Sequence, residues 1–249
     1  MSLPRRLLLG LTGAALLLLS SPALAEEPDW TPYAQLLQQN LSRHTAQGIE
    51  LAWVNYSALK LDGRFSQLVE NLAAFDPAKL NGSSEKLAFY INAYNILALK
   101  MVLDHWPVAS IKEVGNFLVP VWKKEAGRLG GRTVTLDELE HQILRPMGEP
   151  RLHLAIVCAS LSCPDLRHEP YTAAQLERQL DDQALTFLRN PAKGLTLEGD
   201  KVRVSRIFSW FEEDFKGGVA PFLQRYRTDL PASFSPAADL PYNWSVNGH

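Results

Sequence analysis

EKLAFYINAYNILALKMVLDH, residues Glu85–His105, is the stretch that decides the fold. Only Asn92, Asn95 and Lys100 interrupt its apolar part. A helix that is apolar all round is buried all round, so the rest of the chain is expected to wrap it. Asn81-Gly-Ser-Ser84 is a loop in which Ser83 or Ser84 is placed to cap the helix, and Trp106-Pro107 ends it. Asn92 and Asn95 are three apart and share a face. A buried polar group left unpaired costs about 1–3 kcal/mol, so both amides must be engaged. Either they pin neighbouring loop backbone, or they orient a substrate or a catalytic group.

Outward toward the N-terminus, Arg5-Arg6, the apolar run Leu7–Leu19 and Ala23-Leu24-Ala25 form a signal-peptide pattern with cleavage expected after Ala25. Residues 1–25 would be the leader and 26–249 one domain in the periplasm or secreted. The apolar core of the leader is short for a membrane span, and no later segment is long and apolar enough to be one. Lys and Arg number 25 against 27 Asp and Glu, a net charge of −2, and loss of Arg5 and Arg6 makes the product more acidic. No basic patch or charge block interrupts this balance, so nucleic acid is not an expected partner. An envelope protein or a small-molecule ligand is the partner class left open.

Trp30–His44 has helical spacing, Ile49–Val54 reads as a strand, and Arg64–Ala74 as a helix. Ala126–Leu136 predicts a hairpin turning at Gly130-Gly131. Thr135 and Glu138 then give a capping-box pattern opening a helix to about Leu144. Tyr171–Arg189 is an amphipathic helix with Thr172 as its cap. A second hairpin turns at Gly199-Asp200, and Phe208–Phe215 and Val219–Tyr226 are short helices. The fold class is α+β: a helix-rich single domain around a small sheet.

The chemistry-bearing stretch is RLHLAIVCASLSCPDL, Arg151–Leu166. Its apolar run, bounded by Pro150 and Pro164, reads as a buried strand opening into a loop. Cys158 and Cys163, the two cysteines of the chain, sit at that end. They admit four readings: a tight disulfide with Cys163, a reactive thiolate at Cys158 activated by a base or positive field, a metal site, or small buried side chains. His153, Cys158, Cys163 and His168 recur every five residues with zinc-ligand types, but not at a zinc spacing, and no metal or other cofactor is expected. On a regular strand His153 and Cys158 would point to opposite faces. That favours His141, on the preceding helix, as the base, with Glu140 beside it. His153 and Ser160 stay as substrate contacts. Trp210, Phe211, Phe215, Tyr242 and Trp244 either close the core or form a groove for an apolar or sugar ligand, with Trp210 and Trp244 as its contacts.

Taken together, five segments resemble the proteins grouped as domain-of-unknown-function family 547: FYINAYN (Phe89–Asn95), LDELEHQILR (Leu136–Arg145), RLHLAIVCASLSCP (Arg151–Pro164), VSRIFSWFEEDF (Val204–Phe215) and YNWSVN (Tyr242–Asn247). The resemblance covers roughly Val54 to the C-terminus. Asn55 and Asn243 stand where it leads one to expect Asp. The resemblance implies no established activity. Some eukaryotic relatives join this domain to a glutaredoxin-like one, an association with thiol chemistry by analogy. The element order is also similar to papain- and transglutaminase-like folds, in which the cysteine opens the central helix; Glu85–Phe89 offers none.

The sequence thus supports a thiol-dependent hydrolase or acyltransferase with Cys158 as nucleophile, His141 as base, and Glu140 or Asn95 as an orienting group. The alternatives are a non-catalytic periplasmic module that binds a ligand or protein, and a redox protein using Cys158 with Cys163.

Overall fold

Everything in the fold is hung on the helix the sequence marks. The computed structural model describes residues 27–249; the expected signal peptide and its cleavage site lie outside the described residues. In chain order the structure runs through α1 (Thr31–Asn40), β1 (Leu41–Ala46), β2 (Ile49–Val54), α2 (Tyr56–Leu61), α3 (Gly63–Ala74) and the central helix α4 (Ser83–Asp104). It continues with β3 (Glu125–Leu129), β4 (Arg132–Thr135), α5 (Leu136–Glu138), α6 (Leu176–Leu188), β5 (Leu195–Glu198), β6 (Lys201–Val204), α7 (Ile207–Trp210) and α8 (Val219–Tyr226).

In α4, Ile91, Ala93, Ile96, Leu97, Ala98 and Val102 are wholly buried. The helix packs against α2, α3, α5 and β3. Neither Ser83 nor Ser84 caps it. The cap is Gly82, and Glu85 bends back so that its carboxylate accepts from the Asn81 and Gly82 amides, both at 3.0 Å. A three-residue reach to the orphan amides does what a serine hydroxyl would have done. The β3–β4 hairpin lies so close to α4 that a Cβ on Gly127 would come within 2.6 Å of Leu97.

The β-structure is three separate two-stranded antiparallel hairpins, each closing part of the helical shell. One was only half legible. The helical spacing of Trp30–His44 is broken at Asn40, whose amide turns back onto the Leu36 carbonyl at 2.9 Å. Gln47 and Gly48 then take positive φ, +52° and +80°, and fold Leu41–Ala46 onto Ile49–Val54. Pairing with a neighbouring strand overrides local helical spacing here.

The larger correction concerns Arg151–Leu166. Pro150–Leu154 is a 3₁₀ helix, not a strand. Pro150 supplies the fixed φ of a helical first turn. The Glu149 carboxylate takes the Arg151 amide at 2.9 Å. The Arg151 side chain is buried only because Glu149, Glu177 and Asp181 surround its guanidinium at 2.7–2.8 Å. A continuous apolar run does not by itself distinguish a buried strand from a buried helical turn. Beyond Leu154 the chain turns at Ala155, itself helical in φ and ψ, and joins no strand before an isolated bridge at Ser160; side chains of α4 hold its backbone instead. Asn95 donates to the Ala155 carbonyl (3.1 Å) and accepts from the Val157 amide (2.9 Å). Asn92 does the same at Tyr171, donating at 2.8 Å and accepting at 2.9 Å.

The C-terminal tail grips the cysteine loop from the other side. Leu161 N–H donates to the Ser245 carbonyl, Ser162 N–H to that of Asn243, and Asn247 N–H to that of Ala159. The tail continues onto the end of β2 through Val54. Between these two clamps Ala159 sits at φ +55°, a conformation a non-glycine residue holds only where its surroundings fix it.

Candidate active site

Cys158 enters a cavity of about 220 Å³ whose wall includes Tyr94, Glu140, His141, His153, Tyr242 and Trp244. Its sulfur lies 3.1 Å from the Ser160 hydroxyl and 3.3 Å from the Tyr242 hydroxyl. Its backbone amide donates to the sulfur of the buried Cys163 at 2.7 Å. Burial works against a Cys158 thiolate, but hydrogen bonds from Cys163, Ser160 and Tyr242 outweigh it and bring the thiol down to about 7. Burial, reinforced by the Cys158 charge, drives the Cys163 thiol far above the usual range. Both cysteines line the cavity, but they differ electrostatically: hydrogen bonds favour the Cys158 thiolate, and burial keeps Cys163 protonated. Both are free.

Glu140 faces the same cavity from the segment that continues α5. Thr135 caps that helix as its pattern predicts, its hydroxyl accepting from the Glu138 amide at 3.0 Å. Leu139–Leu144 then widens into a π-helical turn, a distortion that recurs at functional sites. With it Glu140 and His141, adjacent in sequence, both reach the cavity. Burial raises the Glu140 carboxyl to about 7; the Tyr94 hydroxyl, 3.3 Å away, pulls the other way, and the Cys158 charge pushes it further up. Tyr94 comes from α4, so the central helix carries one cavity group as well as the loop clamps.

His141 makes its contact with Arg145, Nδ1 to Nη1 at 2.9 Å, and stands 4.0 Å from Asp137; no hydrogen bond joins it to Cys158. Arg145 does not pair with Glu140. It binds Asp214 through Nε at 2.6 Å and also Glu213. Asp214 in turn accepts from His153 Nε2 at 2.7 Å. Since Asp214 is held ionised, first by Arg145 and then by His153, the proton of neutral His153 is on Nε2. Nδ1 is left as a buried acceptor without a partner. Burial lowers the His153 imidazole to about 4 against the pull of Asp214, and its ring stacks on Phe211 at 4.0 Å.

The opposite-face argument against His153 falls with the strand it assumed, since the 3₁₀ turn and the irregular segment after it bring both His153 and Cys158 to the cavity wall. Asn92 and Asn95 are placed elsewhere, with every hydrogen bond they make going to loop backbone. Trp210, Tyr242 and Trp244 stand together, Trp210 on Tyr242 at 4.8 Å and Tyr242 on Trp244 at 4.6 Å, and Trp122 joins them at 6.3 Å from Trp244. They make one aromatic side of the cavity. Tyr94, Arg145 and Asp214 were not singled out from the sequence as site residues, and Tyr242 only as one aromatic of a candidate groove. All four lie inside the resembling segments, which was the signal available for them.

The two positions where Asp is expected are both turn formers. Asn55 Oδ1 caps α2 through the Ala58 amide at 2.9 Å, a role Asp fills equally well. Asn243 Oδ1 accepts from Ser245 N–H at 3.0 Å, and its amide donates to Gln47 Oε1 at 2.7 Å, a donation Asp cannot make.

Among the described residues no group of three or more His, Cys, Asp and Glu is placed to hold a metal ion, and no helix is long and apolar enough to cross a membrane. No curated protein and no solved structure matches the chain. A family model does match. It takes in α4, the β3–β4 hairpin, the cysteine loop and α6, and stops short of the resembling segments 204–215 and 242–247. Over residues 77–188 the chain matches the model of the family described as a protein of unknown function, DUF547.

Proposed function

We propose that the protein is an exported thiol-dependent acyltransferase or hydrolase in which Cys158 is the nucleophile and Glu140 moves the proton. The observation that carries this reading is the pairing, in one cavity, of a thiol lowered to about 7 and a carboxyl raised to about 7. Perturbed groups pushed in opposite directions toward neutrality are the pattern of a nucleophile and its acid–base partner. When the negative charge is on sulfur, Ser160 and Tyr242 receive it, and a proton on Glu140 stands ready for the leaving group.

The Cys158 thiolate attacks the carbonyl carbon of an ester or amide. The S–C bond forms, the C–O or C–N bond breaks, and the Glu140 carboxyl gives its proton to the departing oxygen or nitrogen. Water or a second acceptor then attacks the thioester, the Glu140 carboxylate takes its proton, and Cys158 leaves as thiolate. The aromatic side formed by Trp122, Trp210, Tyr242 and Trp244 suits a substrate with an apolar or ring-bearing acyl group.

The test is incubation with p-nitrophenyl esters, read by nitrophenolate release and by intact mass. A burst, with an acyl group mapped to Cys158 and lost in Cys158→Ala, is the expected result. Unmodified Cys158 and identical release from Cys158→Ala would sink the proposal and leave the cavity as a non-catalytic ligand site.

A further inference from the structure

Between α4 and β3 the chain throws out a loop that the cavity chemistry does not use. Phe117 is fully exposed at 101 %, Leu118 is 85 % exposed and Val119 40 %. Three consecutive apolar side chains thus stand in water at one tip. The tip is a shaped turn. Asn116 Oδ1 accepts from the Leu118 and Val119 amides at 2.9 and 2.7 Å, and Asn116 N–H donates to the Val119 carbonyl at 3.0 Å. Its root is anchored by buried Ile111, Val114 and Val121. At Gly115 the backbone closes so tightly that a Cβ would lie 2.5 Å from the Val121 nitrogen. An apolar group held out on such a support is a marker of an interaction surface.

The surroundings say which kind. Lys112, Lys123 and Lys124 flank the root, against Glu113 and Glu125 in the same stretch. Glu113 is turned onto the Ala109 amide at 3.1 Å. Lys112 Nζ lies 3.7 Å over the Trp244 ring. Trp122, the residue after Val121, lines the cavity with Trp244 and with Trp210, itself 44 % exposed. In the chain the apolar tip is followed by Trp122 and then by Lys123 and Lys124, the side-chain types that meet the acyl region, the interface and the headgroup phosphates of a bilayer. A bilayer also accepts a protruding tip without a complementary pocket.

We propose that residues 116–119 are a docking tip for an anionic phospholipid bilayer, with Phe117, Leu118 and Val119 entering the acyl boundary and Lys112, Lys123 and Lys124 meeting headgroup phosphates. Docked so, the aromatic side of the cavity opens beside the membrane surface. The proposal stands whether or not Cys158 is a nucleophile.

The experiment is co-sedimentation of the mature chain, residues 26–249, with phosphatidylcholine vesicles, with and without phosphatidylglycerol. The parent is expected to pellet with phosphatidylglycerol vesicles. Phe117→Ser combined with Leu118→Ser should weaken binding about tenfold or more, since burying one such side chain is already worth about that factor. Neither side chain is buried, so the thermal melt should not move. Lys123→Gln with Lys124→Gln should weaken binding several-fold at low salt and make no difference at high salt. Cys158→Ala should bind vesicles like the parent, which separates this proposal from the catalytic one. A parent that stays in the supernatant would overturn it, as would a serine pair that binds as well as the parent. So would a serine pair whose sole effect is to turn a dimer into a monomer on size exclusion, which would assign the tip to a second copy of the chain.

Discussion

Tyr242→Phe is the most direct probe of the site. The Tyr242 hydroxyl lies 3.3 Å from the Cys158 sulfur, and its ring packs on Trp210 and Trp244 at 4.8 and 4.6 Å. Phenylalanine keeps the ring contacts and removes only the hydroxyl. Burial, together with the neighbouring Cys158 charge, holds the Tyr242 hydroxyl itself protonated far above neutrality, so it is the donor when Cys158 is a thiolate. A hydrogen bond to a charged group is worth about 1.5–3 kcal/mol and one pH unit corresponds to about 1.4 kcal/mol, so the Cys158 titration should move up by roughly one to two pH units. With the parent thiol near 7, the thiolate fraction at neutral pH should drop roughly five- to fiftyfold. The assay is iodoacetamide labelling of Cys158 across pH, each cysteine read by mass spectrometry. Cys163 should stay slow in both proteins. An unchanged midpoint in Tyr242→Phe, or one that moves down, would refute the claim that donated hydrogen bonds make this thiol acidic.

Three further outcomes follow from the same geometry. The Glu140 carboxyl is raised from 4.5 to about 7 in the folded state, so its contribution to stability is fully present below pH 4.5 and is lost as pH rises through 7; Glu140→Gln should match the parent near pH 4.5 and be more stable by ~2–3 kcal/mol at pH 8 in urea unfolding, an equal gap at both pH values counting against it. Asn95→Leu removes both bonds to the 155–157 backbone and orphans a buried amide and carbonyl, for a loss of about 3 kcal/mol by urea unfolding; an unchanged stability with impaired ester turnover would instead make Asn95 a substrate contact. The His153 imidazole is lowered from 6.5 to about 4, so the stability of keeping it neutral is present above pH 6.5 and is lost as pH falls toward 4; ¹⁵N chemical shifts should show it neutral and protonated on Nε2 at pH 5.5, and an imidazolium there would contradict the assignment.

The sequence made the frame of this fold legible and its pivot misleading. The all-round apolar character of α4 announced burial, and Gly130-Gly131 and Gly199-Asp200 marked two hairpins, because turn chemistry and burial are local signals. The first hairpin was hidden because Gln47 takes a left-handed conformation that a non-glycine residue does not advertise. The cysteine segment was misread for a different reason. Its irregular backbone is held by the Asn95 side chain from α4, 60 and 62 residues from its two partners in sequence, and nothing local records such a partner. The same distance hid the cavity. Glu140, Cys158 and Tyr242 come from three separate segments, and the strand assumption counted against His153 as a partner of Cys158. Cys158 was still legible as a thiol at the end of a buried apolar run, since that reading does not depend on whether the run is a strand.

Cys163 decides between the catalytic and redox readings of the pair. Its buried sulfur accepts the Cys158 amide at 2.7 Å, and its carbonyl is held by Lys193 Nζ at 2.9 Å. Forming a disulfide would consume the thiol–thiol hydrogen bond that helps lower Cys158. Oxidation therefore works against that hydrogen bond, whereas thiolate formation at Cys158 uses it. Cys163→Ala separates the two. If Cys163 tunes the nucleophile, the variant should shift the Cys158 labelling midpoint upward in fully reduced protein, because one of the bonds that lowers it is gone. If the pair serves redox exchange, the reduced variant should label with the parent's midpoint and differ only in losing the oxidised, label-resistant form. A parent whose cysteines label only after reduction would favour exchange regardless of the midpoint, and would remove Cys158 as a resting nucleophile.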